Sequence, residues 1–237
     1  MNVKSLARRI IGDKLLGAMD YYLLPILKDG CGGPFNGQQF RQRMFLELIR
    51  EVGFSAIVET GTFRGTTTEH MHKHSQLPVY TVEVSPRYYG YSKTRLFRYG
   101  MVKVSCGDSR IFLKEIADNH DLAGKQIFFY LDAHWGEELP LKEEVQTVFS
   151  NWPNAVAMID DFKVPGDEEY LYDDYGENKR LCLEYLADVI RHLGLSLFFP
   201  SRSARFESGG KHGCVVIARS AAIVQKIHGV ATLKPYG

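Results

Sequence analysis

Short apolar runs alternate with helix-length amphipathic segments, and this alternation restricts the fold more than any other feature of the chain. Residues 54–59, 79–84, 101–105, 127–131 and 155–159 read as strands rich in Val, Ile, Phe and Tyr. Between them 66–74, 87–99, 109–118 and 141–149 read as helices, with Pro86 at one start and Asp108 or Ser109 as the cap of another. A further helix is expected at 179–192. Strands alternating with helices build a mostly parallel sheet covered on both faces. The last two strands, 195–199 and 214–218, are joined only by the polar stretch 201–213, too short for a right-handed helical crossover, so they are expected to pair antiparallel. The expectation is a doubly wound α/β sheet of seven strands, mostly parallel, closing in an antiparallel hairpin. An NAD-type dinucleotide fold would normally continue with another strand–helix–strand unit.

Ahead of this unit, apolar residues recur at Leu6, Ile10, Leu15, Met19 and Leu23, a helical spacing, behind the basic residues Lys4, Arg8 and Arg9. Gly12, Asp13 and Lys14 interrupt the apolar run, which makes it a poor signal-peptide core. Two readings stand: a helix on a membrane surface, or an extra helix that caps the domain or forms a homodimer contact, the commoner use of a half-apolar basic helix. The turn-rich stretch 29–37 follows, so residues 1–37 are read as a helical extension with a cover loop and 38–237 as one domain. A helix is expected at 38–52. No apolar run reaches the roughly 20 residues of a membrane span. The formal net charge is +1 and the basic residues are scattered, which gives no footprint for nucleic acid. Cys31, Cys106, Cys182 and Cys214 form no C-x-x-C pair, consistent with reduced thiols in a cytoplasmic protein.

In open α/β sheets, ligands bind beyond the carboxyl ends of the strands. The first strand of the repeat ends in Glu59-Thr60-Gly61-Thr62-Phe63-Arg64-Gly65-Thr66. Its glycines allow a sharp turn and close approach of a ligand, and an acid at the strand tip can accept from an ammonium group. Glu83 ends the second strand, Asp108 follows the third in Cys106-Gly107-Asp108-Ser109, and Asp132 ends the fourth. Singly these are a tight turn, a solvated strand end and a helix cap. Together, in order, they resemble the class I S-adenosylmethionine-dependent methyltransferases over residues 54–218. That resemblance implies a Rossmann-like fold and S-adenosylmethionine held by Glu59, Gly61, Thr62, Gly65, Glu83, Asp108, Ser109 and Asp132. Glu83 would meet the ribose hydroxyls, Asp108 or its neighbour the adenine, and Asp132 the reaction centre. An NAD-dependent oxidoreductase is the competing reading. It would use an acid at Glu83 equally well, but its loop is G-x-G-x-x-G, and Phe63 stands where the pyrophosphate needs close backbone approach. A non-enzymatic binding module on the same fold would be marked by loss of the strand-end acids, which are all present.

Leu131-Asp132-Ala133-His134-Trp135 follows the fourth strand and Met158-Ile159-Asp160-Asp161-Phe162 the fifth. Three carboxylates converging at a sheet edge repel one another unless a cation or protons compensate. Oxygen ligands in this number suit Mg²⁺. The pattern resembles metal-dependent O-methyltransferases, in particular those acting on sugars in macrolide and aminocoumarin biosynthesis. It implies Mg²⁺ on Asp132, Asp160 and Asp161, and O-methylation of a hydroxyl on a sugar or other small metabolite. The catechol-type branch places a Lys soon after the first Asp; here the next Lys is Lys142. The sugar-type branch has its base in the loop where His134 stands, so His134 and Asp132 are the expected catalytic residues. The alternatives are a turn or cap at Asp160-Asp161, catalysis by Asp132 without metal, and a merely packed His134. Two stretches are expected to cover the site: the Gly-rich 31–38, and the acidic aromatic 165–178 with Tyr170, Tyr172, Asp173, Asp174 and Tyr175. Arg202, Arg205, Lys211 and His212 are candidates for an anionic group on the acceptor.

Overall fold

The computed structural model describes residues 12–28, 32–134 and 139–237; Leu6, the basic residues Lys4, Arg8 and Arg9, Cys31 and Trp135 lie outside them. The strands are β1 (Ala56–Thr60), β2 (Val79–Glu83), β3 (Val102–Cys106), β4 (Ile127–Leu131), β5 (Val156–Asp160), β6 (Ser196–Pro200), β7 (Cys214–Ala218) and β8 (Leu233–Tyr236). They form one sheet in the order β3-β2-β1-β4-β5-β7-β6-β8. Strands β1 to β5 run parallel. Strand β7 lies antiparallel between β5 and β6, and β8 lies antiparallel at the outer edge of β6. The hairpin is as expected. The eighth strand is not: Leu-Lys-Pro-Tyr is too short to carry a two-residue period, and its Pro235 is tolerated because β8 is an edge.

The helices are α1 (Asp13–Leu23), α2 (Gln39–Val52), α3 (Thr66–Ser75), α4 (Pro86–Leu96), α5 (Ser109–Ala117), α6 (Leu141–Asn151), α7 (Leu183–Leu193) and α8 (Ala221–Ile227). The helix expected from residue 179 begins only at Leu183. The preceding residues are held in extended contacts, Asp174 bridging Arg180 and the Leu181 amide donating to the Asp173 carbonyl. Helix α8, seven residues with no side-chain cap, falls outside the elements expected from sequence.

Side chains alternate across each strand, and the two sides of the sheet form two cores. On one side Val58, Val82, Phe129, Leu131, Ala157 and Ile159 pack under α5, α6 and α7. On the other, Ile57, Val79, Phe128, Tyr130, Val156 and Met158 pack under α2, α3 and α8. Burial of large apolar side chains on both sides, about 1.5–3 kcal/mol each, is the main favourable contribution to the fold. Helix α1 rides outside on α4. Where they cross, a Cβ on Gly17 would sit 1.8 Å from the Arg87 carbonyl oxygen, and one on Gly90 1.9 Å from that of Lys14. Only glycine permits that approach, and an Arg87–Asp20 ion pair at 2.7 Å flanks it. The outward side of α1 leaves Leu15, Met19, Tyr22 and Leu23 exposed. Among the described residues, no helix is long and apolar enough to cross a membrane.

Candidate active site at the strand tips

Strand order reverses between β1 and β4, and the strand ends there are level: Thr60 pairs with Val82 and Leu131, Glu83 with Cys106, and Leu131 with Ile159. The loops leaving β1 to β5 therefore open on one edge, where ligands of open α/β sheets bind. The turn after β1 is tied into it. The Gly61 and Thr62 amides donate to the Val82 carbonyl, and the Asp132 amide donates to the Thr60 carbonyl. Gly61 has φ +89°, and a Cβ there would stand 2.2 Å from the Asp132 carbonyl oxygen, so this position admits only glycine. Phe63 adopts φ +48° and donates its amide to Glu83 Oε2 at 2.7 Å, while Ser85 donates to Oε1 at 2.8 Å. The Glu83 carboxylate thus fixes both βα turns. Its pKa is raised by burial, against the lowering pull of these amides.

Glu59 lies beneath this turn, 1 % exposed. It accepts from Thr68 Oγ1 at 2.5 Å and Thr81 Oγ1 at 2.6 Å, and Thr62 Oγ1 lies 2.6 Å from Thr81 Oγ1. Burial raises its pKa to about 7. Asp108 caps α5, accepting from the Arg110 amide at 2.8 Å, and pairs with the Arg110 guanidinium, which lowers its pKa. Ser109 is buried at the start of the same helix, and Gly65 caps α3 with φ +73°. Behind the turn lies a group that sequence reasoning missed. Glu144 of α6 is buried with neither oxygen hydrogen-bonded among the described residues. The Thr60 and Ser109 hydroxyls stand beside it without good hydrogen-bond geometry, and burial raises its pKa to about 7.

The acidic residues beyond β4 and β5 divide into two groups. Asp160 continues the parity of Val156 and Met158, so it points towards α2. There it pairs with Arg41, itself 1 % exposed, and accepts from the Tyr130 hydroxyl at 2.6 Å. Burial alone would raise the Asp160 pKa; Arg41 and Tyr130 outweigh it and hold the group low. Arg41 also donates to the His212 carbonyl at 2.6 Å, and its own amide donates to Glu207 at 3.1 Å. Asp161 has φ +51° and turns the opposite way. The ligand atoms of Asp132, His134 and Asp161 lie within 4.8 Å of one another, as do those of Asp161, Asp173 and His212. The structure brings Asp132 and Asp161 together with two imidazoles and Asp173, and it does not bring Asp160 among them.

Electrostatics in this cluster follow from burial and like charge. Asp132 is raised by burial and by the charges of Asp160 and Asp161, and Asp161 by burial and Asp160. Burial lowers His134. His212 is raised by its contact with Asp161, 2.5 Å from Nδ1 to Oδ1. The acidic aromatic stretch is fastened over the cluster: the Asp173 amide donates to the Asp161 carbonyl, and the Leu171 amide to that of Lys211. The Tyr175 hydroxyl lies 2.5 Å from the His134 carbonyl oxygen and also against Asp173. The Gly-rich stretch is anchored as well, with Phe35 buried against Phe45 and Tyr130 and the Gly210 amide donating to the Asn36 carbonyl. Arg202 stacks over Phe40 and Arg205 over Phe206. Nothing local in the sequence marks Arg41 or Tyr130 as site residues, since each meets Asp160 across a long stretch of chain, and Glu144 reads as one of two acids in the first turn of α6.

Solved structures share this architecture. The O-methyltransferase TomG of Streptomyces achromogenes, involved in tomaymycin synthesis and in complex with SAM, superposes with a TM-score of 0.54 at 16% identity, over 76% of this chain and 80% of that one. The O-methyltransferase of Bacillus cereus in complex with SAH gives 0.55 at 16% identity, over 91% and 96%. The SAH-bound methyltransferase PaMTH1 of Podospora anserina gives 0.53 at 13% identity, over 92% and 94%. No protein-family model matches the sequence, and no curated protein matches it. The chain has the Rossmann-like methyltransferase fold, with a mostly parallel sheet and antiparallel C-terminal strands.

Proposed function

We propose that the chain is an S-adenosylmethionine-dependent O-methyltransferase that acts on a hydroxyl of a small molecule, with a divalent cation at Asp132 and Asp161. One observation carries the reading: level strand tips gather Glu59, the Gly61 turn, Glu83 and Asp132 around the point where strand order reverses. The neighbours in complex with SAM or SAH support it.

The residues fit the nucleoside. Each Glu83 oxygen accepts one amide and keeps a second lone pair for a ribose hydroxyl. Once ionised, Glu59 and Asp132 would supply negative charge where the donor carries its ammonium and sulfonium groups. Asp108 and Ser109 border the adenine end, with Asp108 fixed by Arg110. Bound there, S-adenosylmethionine supplies an electrophilic methyl group for in-line attack. A cation on Asp132 and Asp161 would draw two neighbouring acceptor oxygens, as on a sugar, and make one of them more acidic. The protein's share is orientation: Gly61 fixed against Asp132 sets the donor at a constant distance from the acids, and such positioning supplies much of a transfer rate. His134 and Asp132 are the residues at that centre; Asp160, engaged by Arg41, supports it from beneath.

Thermal unfolding with S-adenosylhomocysteine and with NAD⁺ in parallel tests the reading. A ligand at 100 times its Kd adds about 2.7 kcal/mol, which in a chain of this size is about 5–11 °C. Stabilisation by S-adenosylhomocysteine alone is expected. Stabilisation by NAD⁺ with none by S-adenosylhomocysteine would overturn it.

A further inference from the structure

We propose that Asp132, His134 and Asp161 form a mixed imidazole–carboxylate site for one divalent transition ion, such as Co²⁺ or Zn²⁺, taken in preference to Mg²⁺, with His134 Nε2 as a direct ligand. The inference rests on the reading that the strand-end acids hold a cation, and it gives that cation's chemical class.

His134 is 1 % exposed, and neither ring nitrogen has a hydrogen-bond partner among the described residues. A buried polar group left unpaired forfeits the hydration it had in the unfolded chain, so such a side chain calls for an explanation. Its Nε2 lies 3.9 Å from Asp132 Oδ1 and 3.9 Å from Asp161 Oδ2. These separations are too long for hydrogen bonds. With bonds of about 2.1 Å, two ligand atoms on one metal stand about 3 Å apart at a right angle and about 3.4 Å apart in a tetrahedron, so closing these separations by about half an ångström would seat one ion among the three groups.

The surroundings orient the set. The two oxygens of Asp161 are divided: Oδ2 faces His134, and Oδ1 lies 2.5 Å from Nδ1 of His212. His212 thereby stands against the outer side of the carboxylate, in an ion-pair contact rather than a formed hydrogen bond, where an outer partner of a metal-binding acid belongs. The Tyr175 hydroxyl, 2.5 Å from the His134 carbonyl oxygen, fixes the backbone that carries the imidazole. Asp160, the carboxylate next in sequence, is engaged by Arg41 on the opposite side of the strand, and the imidazole of His134 stands as the third group beside Asp132 and Asp161. Replacing one carboxylate by an imidazole changes the preferred ion. Mg²⁺ favours oxygen ligands in near-octahedral geometry, whereas imidazole suits Zn²⁺ and its neighbours in the first transition row.

The test uses the whole chain, treated with EDTA and then dialysed against Co²⁺, Mn²⁺ or Mg²⁺ separately. One Co²⁺ per chain is expected, bound at least about tenfold more tightly than Mg²⁺. Electron spin-echo modulation of the Mn²⁺-loaded chain is expected to show a directly bound ¹⁴N. That coupling disappears in His134→Gln and persists in His212→Gln, which weakens binding about tenfold as an outer partner. Equal affinity for Mg²⁺, two ions per chain, or no ¹⁴N coupling in the unaltered chain would each overturn the proposal. The last needs no variant, so poor folding of His134→Gln does not rescue it. S-adenosylhomocysteine titrated into the EDTA-treated chain separates the two readings. Nucleoside binding without a nitrogen-coupled ion removes this site and leaves the methyltransferase. A nitrogen-coupled ion without nucleoside binding does the reverse.

Discussion

Replacing Arg41 by Met tests the division of labour between the two adjacent acids. Arg41 and Asp160 are each 1 % exposed and paired, with the Tyr130 hydroxyl on the second Asp160 oxygen. Met fills much of the volume and leaves the Asp160 carboxylate buried with neutral donors alone. Removing one partner of a buried pair costs about 3–5 kcal/mol, because the remaining charge is uncompensated. In a chain of this size each kcal/mol moves the unfolding midpoint by about 2–4 °C, so a fall of about 6–20 °C is expected. The double variant Arg41→Met/Asp160→Asn removes both charges and should recover more than half of the loss. Thermal or urea unfolding of the unaltered chain, both single variants and the double closes a mutant cycle. Co²⁺ dialysis on the same proteins adds the decisive comparison. If Asp160 acts only by anchoring Arg41, the double variant binds the ion nearly as tightly as the unaltered chain. A fall of less than about 2 °C in Arg41→Met would refute the assignment of Asp160 to this pair, and so would strictly additive losses. Loss of ion binding in a well-folded double variant would restore Asp160 to the ligand set.

Gly61→Ala puts a Cβ within 2.2 Å of the Asp132 carbonyl oxygen at φ +89°. It should destabilise the chain by about 1–3 kcal/mol and weaken S-adenosylhomocysteine binding by calorimetry; an unchanged midpoint and affinity would contradict the close approach. Glu144, raised to about 7 by burial, binds a proton in the folded chain at pH values where the unfolded chain has released it. Stability from this group therefore falls as pH rises between about 4.5 and about 7, by up to about 3 kcal/mol. Glu144→Gln should remove that decline and unfold later than the unaltered chain at pH 8; identical pH profiles would sink the reasoning. Glu59, also raised to about 7, must ionise to meet an ammonium group. S-adenosylhomocysteine affinity should accordingly drop up to about tenfold per pH unit below that value, and Glu59→Gln should flatten the profile; a constant affinity from pH 6 to 8 in the unaltered chain would exclude Glu59 as the partner.

The strand-and-turn skeleton was legible because it is local. Periodicity located the first seven strands to within a residue or two, and the glycines after β1 marked a turn that only residues at positive φ complete. What could not be read is set by distant partners. Glu207 caps α2 by accepting the Phe40 and Arg41 amides, although a long stretch of chain separates them. His212 sat among residues read as contacts for an acceptor anion, yet its imidazole meets Asp161 and its carbonyl accepts from Arg41. Phe35, in a stretch read as a cover because it is glycine-rich, is anchored in the core by its ring. Composition reports that a segment can bend; contact determines whether it is free to.

The acid pair after β5 shows why neighbouring residues of one chemical type need not share one task. A strand sends successive side chains to opposite sides, so a doublet at its end is divided before any ligand arrives. Asp160 still belongs to the strand and meets the helix packed on its side, where only a cation such as Arg41 makes its burial tolerable. Asp161 lies past the last paired residue, and its positive φ releases it towards Asp132 and His134. Arg41 also donates to the carbonyl of His212, whose ring holds Asp161. The buried charge beneath the sheet edge and the carboxylate above it are thus linked through one residue. Arg41 touches only the backbone of His212, so removing both buried charges should cost the chain stability while leaving Asp132, Asp161 and the imidazole between them in place for the ion.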